Sequence, residues 1–136
     1  MRIVPLQDND VAAVIGLWET CGLTRPWNDP AQDLALARKS ADSVVLVARD
    51  GVGVCGTAMT GFDGHRGWVY YLAVHPDARH RGVGRALMTA AETWLADRGA
   101  PKIQLMVRED NVDALGFYEA LGMSRQAVVT LGRRLD

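Results

Sequence analysis

The segment that most constrains this chain is a glycine- and arginine-rich stretch, residues 74–85, between a predicted strand and a predicted helix. Gly82 and Gly84 stand at the entry to that helix, where the lack of a side chain lets the backbone approach a ligand closely. The first N–H groups of a helix have no partner within it, and its dipole places positive charge there. Three arginines around the turn add further positive charge. The sequence therefore predicts a pyrophosphate-binding turn.

Other known phosphate-binding motifs do not match this turn. The dinucleotide-binding pattern GxGxxG needs a third glycine where Leu87 stands. The P-loop pattern GxxxxGK(S/T) is absent. Taken by itself, the turn is also compatible with an ordinary helix start surrounded by solvated arginines.

A second cluster, residues 111–123, makes the interpretation specific. It predicts a helix that begins at a cap formed by Asp110 or Asn111 and ends at a glycine. In order and separation, three segments resemble the GNAT superfamily of N-acetyltransferases: Tyr70-Tyr71-Leu72-Ala73-Val74-His75-Pro76, Arg79-x-x-Gly82-x-Gly84, and Asn111-x-x-Ala114-x-x-Phe117-Tyr118-Glu119-x-Leu121-Gly122.

The likeness extends over nearly the whole chain to the small bacterial YpeA-type branch of that superfamily. This resemblance says more about the fold of the chain than about its substrate. The segments that carry it are Trp18 and residues 25–30, 61–67 and 101–104.

The order of predicted elements indicates a single domain over residues 1–136, of the α/β (α+β) class. By resemblance this is the GNAT fold, a mixed, mostly antiparallel sheet with two splayed central parallel strands flanked by helices. The resemblance also implies that the pantetheine arm of the cofactor lies between the splayed strands. Strands are predicted over residues 2–5, 43–49, 52–60, 68–74, 102–107 and 127–131, and early helices over residues 11–21 and 31–39.

Composition narrows the possible partners. A formal net charge of −1 argues against nucleic-acid binding as the main task. Cys21 and Cys55 lie in no paired motif, which is typical of thiols in a reducing cytoplasm. No signal peptide and no membrane-spanning apolar run are apparent, so we expect a cytoplasmic protein. No metal is expected, since His65, His75 and His80 form no recognisable ligand set.

By resemblance, acetyl-CoA is the co-substrate and both motifs bind it. The backbone N–H groups of residues 79–85 are expected to bind the pyrophosphate, and backbone groups at the end of the preceding strand the pantetheine and the acetyl carbonyl. The residues predicted to bind the cofactor are Leu72, Ala73, Val74, Arg79, His80, Arg81, Gly82, Val83, Gly84, Arg85, Asn111, Ala114, Phe117 and Tyr118.

The resemblance also implies two catalytic groups. The backbone at Leu72 would stabilise the acetyl carbonyl as charge develops, and the Tyr118 hydroxyl would protonate the leaving thiolate. A tyrosine titrates near ~10, so Tyr118 holds a proton at neutral pH. The alternatives are a tyrosine that packs into the core and, for Asn111, a simple helix cap.

A general base is not evident. Many relatives carry a glutamate on the strand before Leu72, but residues 69–71 contain no carboxylate. A water relay beside Tyr70 is one route for the proton, and an acceptor amine with a lowered pKa needs no base. Side-chain candidates are Asp29, Asp63, His65 and Glu109.

The acceptor site is expected to border the loop between the early helices. The predicted acceptor-binding residues are Trp27, Asn28, Asp29, Phe62, Asp63 and Tyr70. The alternative is that Trp27 covers the core and that Asp29 caps the second helix. Only a short tail follows residue 123, which suggests an open acceptor cleft or a second subunit, in a homodimer, that completes it.

The sequence thus predicts an acetyl-CoA-dependent N-acetyltransferase that acts on a primary amine, a small molecule or a peptide, by direct transfer in a ternary complex. The alternative is a non-catalytic, regulatory acetyl-CoA-binding module. Retention of Tyr118 favours the enzyme.

Overall fold

The structure is a computed structural model that describes all residues from 1 to 136 and divides into two compact units, Met1–Met106 and Val107–Asp136. None of its helices has the length and apolar character needed to cross a membrane. The second unit contains one helix, α4 (Val112–Ala120). The strands and helices of the first unit are, in chain order, β1 (Arg2–Pro5), α1 (Val11–Thr20), α2 (Pro30–Lys39), β2 (Ser43–Arg49), β3 (Val54–Phe62), β4 (Gly67–Val74), α3 (Val83–Asp97) and β5 (Ile103–Leu105).

The five strands form one mixed sheet in the order β1-β2-β3-β4-β5. The first four are antiparallel neighbours, and β4 runs parallel to β5 across the α3 connection. Asp50 closes the β2–β3 hairpin, because its Oδ1 accepts hydrogen bonds from the N–H groups of Val52 and Gly53. The predicted mixed α/β fold class is therefore confirmed. The prediction of a single domain over residues 1–136 stays a prediction.

The strand predicted over residues 127–131 is wrong. No strand follows α4, and the side chains of Val128, Val129 and Leu131 are exposed. A β-branched run favours the extended conformation, but it becomes a strand only where a neighbour pairs with its backbone. In the observed sheet β5, which is also shorter than predicted, is an edge strand. The parallel pair therefore lies at the end of the sheet and not at its centre.

Helices α1 and α2 cover one face of the sheet. Residues of a strand alternate between the two faces, so Val45 and Val47 of β2 point to the same side. They pack there against apolar side chains that recur at helical spacing on α1 and α2. The buried cluster on this face consists of Leu6, Val14, Leu17, Trp18, Leu34, Ala37, Val45, Val47 and Ala73.

Helix α3 packs on the opposite face, and two glycines let it come close. A Cβ built on Gly56 would lie 2.9 Å from the Leu87 Cδ1 and 3.0 Å from the backbone oxygen of Ala73. A Cβ on Gly67 would lie 2.5 Å from the Leu95 Cδ1. The strands under α3 thus leave room for its large apolar side chains, and this packing fixes where the helix begins beside the end of β4. The buried residues of α3 are Val83, Leu87, Met88, Ala91 and Leu95.

Replacement of Gly56 by alanine should destabilise the protein. The added methyl group meets backbone as well as side-chain atoms, so the free energy of unfolding should fall by about 1–3 kcal/mol, as in overpacked cores. Urea unfolding followed by circular dichroism measures the change. Gly16→Ala is the matched control, because this glycine lies exposed within α1 with open space around it. It should instead raise stability by about 0.5–1 kcal/mol. Equal stability of Gly56→Ala and the wild type would contradict the close approach of α3.

Candidate active site

The turn between β4 and α3 has an unusual backbone conformation. A short 3-10 turn, Pro76–Ala78, follows β4, and His75 Nδ1 accepts a hydrogen bond from the Asp77 N–H at 3.1 Å. His80 (φ 65°) and Gly82 (φ 81°, ψ 12°) then both adopt left-handed conformations. Such a conformation suits glycine and is uncommon for other residues. Gly82 is the residue that precedes the first turn of α3.

The amide groups of this turn have no acceptor within the protein. The first hydrogen bond of α3 runs from the Ala86 N–H to the Gly82 carbonyl at 3.0 Å. None of the N–H groups from His80 to Arg85 donates a hydrogen bond to a protein atom. Left-handed residues beside right-handed ones orient successive N–H groups toward one point, and the helix dipole adds positive potential there. The turn therefore has the geometry of an anion-binding site.

Three arginines and one histidine belong to the same segment. Arg79, His80, Arg81 and Arg85 are all exposed. The Arg81 guanidinium donates a hydrogen bond to the backbone oxygen of Asp77 at 2.7 Å, which holds it against the turn. The segment thus combines exposed basic side chains with amides that have no acceptor in the protein.

The end of β4 has no strand neighbour on one side. Pairing with β5 covers only residues 67–69, so residues 70–74 extend beyond it. The His75 N–H donates to the Cys55 carbonyl of β3 at 2.8 Å, so His75 and Ala73 direct their backbone groups toward β3. By alternation, the backbone groups of Leu72 and Val74 point to the opposite side, where β5 no longer accompanies β4. Ala73 packs its side chain into the core.

A β-bulge lies at the same place. Met59 pairs with Tyr70 and Thr57 with Ala73, so Tyr71 and Leu72 of β4 stand opposite the single residue Ala58. Tyr71 has a φ of 51°, an unusual value for an aromatic residue. Bulges with such backbone are frequent next to active sites, because they change the direction in which a strand presents its groups.

Tyr71 is held in this conformation by contacts to three elements. Its ring stacks on Trp18 of α1, with centroids 3.7 Å apart and planes at 8°. Its carbonyl accepts a hydrogen bond from the Thr57 Oγ1 at 2.9 Å, and Thr57 in turn accepts one from the Trp18 Nε1 at 2.9 Å. Its hydroxyl donates to the Asp33 Oδ2 of α2 at 2.6 Å. Burial, followed by the bond to Asp33, raises the pKa of the Tyr71 hydroxyl.

This arrangement was not found from the sequence. Asp33 lies outside every motif, and Tyr71 belongs to the resemblance only as part of the strand before the turn. The available signals were weak: an aspartate in the first turn of a helix and a threonine inside a strand. Neither shows that the two partners, 38 residues apart, meet.

Unit 2 carries the second motif on α4. The Asn111 Oδ1 accepts the Ala114 N–H at 3.2 Å and so caps the helix, which leaves its side-chain NH2 group as a donor. Phe117 and Tyr118 form an edge-to-face aromatic pair with centroids 5.0 Å apart. Burial raises the pKa of the Tyr118 hydroxyl to about 12. Tyr118 is therefore protonated throughout the neutral range.

The loop before α2 contains three of the predicted acceptor-binding residues. Trp27 is 60% exposed, so it does not cover the core as the alternative interpretation required. Asp29 does cap α2, because its Oδ1 accepts the N–H groups of Ala31 and Gln32. Its backbone oxygen also accepts the Asp33 N–H at 2.9 Å. The Asn28 N–H donates to the Arg25 carbonyl within the same loop.

The other predicted acceptor residues lie at the end of β3, in the loop that follows it, and on β4. Asp63 Oδ1 accepts the N–H groups of His65 and Arg66, and its Oδ2 accepts the Trp68 indole at 3.1 Å. These bonds, led by the backbone ones, lower the pKa of Asp63, which makes it a poorer base. Phe62 ends β3, and Tyr70 on β4 is 44% exposed. Burial and the charge of Asp63 raise the pKa of Tyr70, so it cannot serve as an anionic base near neutral pH.

The structure contains no group of three or more His, Cys, Asp or Glu side chains placed to hold a metal ion. The two cysteines are unpaired thiols. Cys21 donates a hydrogen bond to the Val74 carbonyl at 3.4 Å, and Cys55 is buried. Burial raises the pKa of the Cys55 thiol, which disfavours its nucleophilic thiolate form.

Comparison with known proteins identifies the class to which this site belongs. Residues 11–123 match the model of the Acetyltransferase (GNAT) family, so the chain belongs to that family. It is 47% identical over 135 residues to an acetyltransferase of Pectobacterium atrosepticum, and the match covers 99% of this chain and 96% of the relative. The chain is therefore an acetyltransferase, a class that takes its acetyl group from acetyl-CoA. The finer assignment to the YpeA-type branch stays a prediction.

Solved structures support the fold. The aminoglycoside acetyltransferase AAC(6')-Iy, bound to a bisubstrate analogue of CoA and acetylneamine, superposes with a TM-score of 0.84 at 17% identity, covering 98% of this chain and 97% of that one. Glucosamine-6-phosphate N-acetyltransferase from Arabidopsis thaliana has a TM-score of 0.76 at 19% identity, with 99% and 98% covered. At these identities the likeness establishes the shared fold alone.

Replacement of Gly82 by alanine should weaken the binding of CoA. A side chain at φ 81° is strained, so the turn should relax and its N–H groups should no longer converge; we expect an affinity loss of about tenfold, the equivalent of 1–2 kcal/mol of strain. Isothermal titration calorimetry with CoA measures it.

Gly99→Ala is the matched control. Gly99 has nearly the same φ, 82°, and the same open surroundings, but it lies at the other end of α3. Both variants should lose similar stability, and only Gly82→Ala should lose affinity. Similar affinity losses in both would show that general destabilisation, and not the turn, controls binding.

Proposed function

We propose that this protein transfers the acetyl group of acetyl-CoA to a primary amine by direct attack in a ternary complex. The observation that carries the proposal is the run of N–H groups from His80 to Arg85 that have no acceptor in the protein. Their place at the start of α3, within the family's first motif, fits the pyrophosphate of CoA. The arginines at positions 79, 81 and 85 add charge that favours the same ligand.

The rest of the donor is assigned to backbone groups of β4. The N–H and C=O of Leu72 and the N–H of Val74 are assigned to the side where β5 has ended, and the amides of pantetheine can pair with them as a strand would, while the Val74 carbonyl accepts the Cys21 thiol. In this proposal the N–H of Leu72 donates to the thioester oxygen and strengthens that bond as the oxygen becomes negative. The NH2 group of Asn111 is a further donor for the pantetheine.

Tyr118 is proposed as the acid that protonates the departing thiolate of CoA. Its pKa of about 12 ensures that the proton is present before the reaction. A weak acid can serve here, because a thiolate formed in a desolvated environment is itself destabilised and takes up a proton more readily. Ala114 and Phe117, on the same helix, are assigned to cofactor packing.

Direct transfer is favoured over an acetyl-cysteine intermediate. Cys55 is buried and its pKa is raised, and Cys21 donates its hydrogen to the Val74 carbonyl. Asp63 is disfavoured as the base that deprotonates the amine, because it accepts three hydrogen bonds and its pKa is lowered. A water chain beside Tyr70 is the proposed route for the proton.

For the acceptor we propose an amine that is cationic before it binds. The predicted acceptor-binding residues combine exposed aromatic surface at Trp27 and Tyr70 with carboxylates at Asp29 and Asp63. Such a surface suits an ammonium group and its carbon frame. Structural neighbours are named for aminoglycosides and glucosamine 6-phosphate, so amino sugars belong in the first panel of candidate acceptors.

An amine panel tests the proposal. Wild-type protein and acetyl-CoA are mixed with aminoglycosides, amino sugars, amino acids, peptides with free N-termini and lysine peptides, and free CoA is detected with a thiol reagent. Tyr118→Phe should bind acetyl-CoA with unchanged affinity and lose turnover by about 10²- to 10⁴-fold, the usual contribution of a general acid. Unchanged turnover in Tyr118→Phe would remove Tyr118 from the mechanism. Binding of acetyl-CoA without CoA release for any amine would contradict the transferase proposal.

Trp27→Ala should raise the KM of the acceptor more than that of acetyl-CoA, since the exposed indole is assigned to the acceptor alone. Steady-state kinetics with each substrate varied in turn give both constants. Leu36→Ala, which removes an exposed apolar side chain from α2, is the control and should change neither. Equal increases in both constants for Trp27→Ala would assign this residue to folding of the loop and not to the acceptor.

A further inference from the structure

We propose that Asp33 and Tyr71 are positioning residues, which hold the bulge of β4 so that the Leu72 N–H is aimed at the acetyl group. The inference rests on the proposed function, because it needs an acetyl-CoA thioester beside β4. It adds two residues that lie in neither the pyrophosphate turn nor the second motif. The contact that carries it is the hydrogen bond from the Tyr71 hydroxyl to the Asp33 Oδ2 at 2.6 Å.

The backbone of Tyr71 gives the first step. A bulky residue at φ 51° is strained, and such strain persists only where surrounding contacts outweigh it. The ring stack on Trp18 and the hydrogen bond to Asp33 fix the two ends of the Tyr71 side chain. The side chain of Tyr71 therefore connects β4 to α1 and α2. These two contacts oppose the return of the Tyr71 backbone to an ordinary extended conformation.

The peptide unit between Tyr71 and Leu72 gives the second step. Its oxygen accepts the Thr57 hydroxyl at 2.9 Å and is thereby turned toward β3. No peptide bond in the chain is cis, and in a trans peptide the N–H points opposite to the C=O. The Leu72 N–H then points away from the Thr57 hydroxyl, and β5, whose pairing with β4 stops at Val69, does not accept it. The contacts that restrain Tyr71 consequently set the direction of the donor proposed for the acetyl oxygen.

The third step concerns the chemistry of Asp33. In its contact with Tyr71, Asp33 acts only as a hydrogen-bond acceptor. A neutral amide oxygen can accept the same phenolic hydrogen. Positioning therefore predicts that Asp33→Asn is nearly harmless and that Asp33→Leu is harmful. Binding of an ammonium group by Asp33 predicts the opposite pattern, in which Asn and Leu are equally harmful because both remove the charge.

The decisive measurement needs no knowledge of the acceptor. Isothermal titration calorimetry gives the Kd of acetyl-CoA and of CoA, and their ratio reports contacts made to the acetyl group. The wild type should bind acetyl-CoA more tightly than CoA, and the ratio of the two Kd values is its preference for the acetyl group. Tyr71→Phe, which keeps the stacked ring but removes the hydroxyl, should reduce that preference by about three- to tenfold, the effect of one hydrogen bond. The Kd of CoA should not change.

Two further variants complete the set. Asp33→Leu should reproduce Tyr71→Phe, and Asp33→Asn should retain most of the preference. Asp8→Ala is the matched control: it breaks the Arg38–Asp8 ion pair, which tethers the same helix α2 at 2.6 Å without touching Tyr71. It should leave the preference unchanged. Once an acceptor is known, kcat should fall in Tyr71→Phe and Asp33→Leu with the acceptor KM unaltered.

Several results would overturn the inference. If Tyr71→Phe lowers the melting temperature but leaves the preference intact, the contact only stabilises the fold. If Asp33→Asn is as harmful as Asp33→Leu and raises the acceptor KM, Asp33 binds the amine and is not a positioning residue. A wild type that binds both ligands equally would refute the positioning role alone. A wild type that binds neither ligand would refute the proposed function itself.

Discussion

The candidate active site depends on the point at which the pairing of β4 and β5 ends. Their pairing stops at Val69 and Leu105, while β4 continues to Val74. Backbone N–H and C=O groups that lose a strand partner must find another one, because leaving them unpaired and dehydrated is costly. The protein thus carries, at the end of its sheet, a length of β4 that has a strand neighbour, β3, on one side only. In the function proposed above, the amide groups of pantetheine are this partner.

The turn that follows β4 also contains backbone N–H groups that need a partner. Helix α3 begins with unpaired N–H groups, as every helix does, but here the left-handed His80 and Gly82 extend the unpaired run backwards along the chain. Gly56 and Gly67 allow α3 to pack closely on the sheet, which sets the distance between this run and the end of β4. Most of the proposed donor contacts are therefore made by main-chain atoms, and side chains mainly hold the main chain in place.

The distinction between local signals and contacts between distant residues explains which features could be predicted from the sequence. Strand β2 was predicted with its observed bounds, because a β-branched run between turn residues is a local signal. The helix start at Gly82 and its unpaired N–H groups follow from two glycines and the apolar spacing after them, which are also local signals, and the binding of pyrophosphate there stays a prediction. The strand over residues 127–131 was not foreseen correctly, since pairing depends on a neighbour that the run itself does not specify. The contact between Asp33 and Tyr71 was missed for the same reason, and nothing in the residues around position 71 predicts a positive φ.

The N-terminal cap of α2 connects the loop before this helix to the bulge of β4, two regions that are far apart in the sequence. Asp29 closes the first turn of α2, its backbone oxygen accepts the N–H of Asp33, and Asp33 holds the hydroxyl of Tyr71. One helical turn thus joins the loop that carries Trp27 to the bulge of β4. The loop and the bulge therefore share one support, and a substitution that unwinds the first turn of α2 is expected to disturb both.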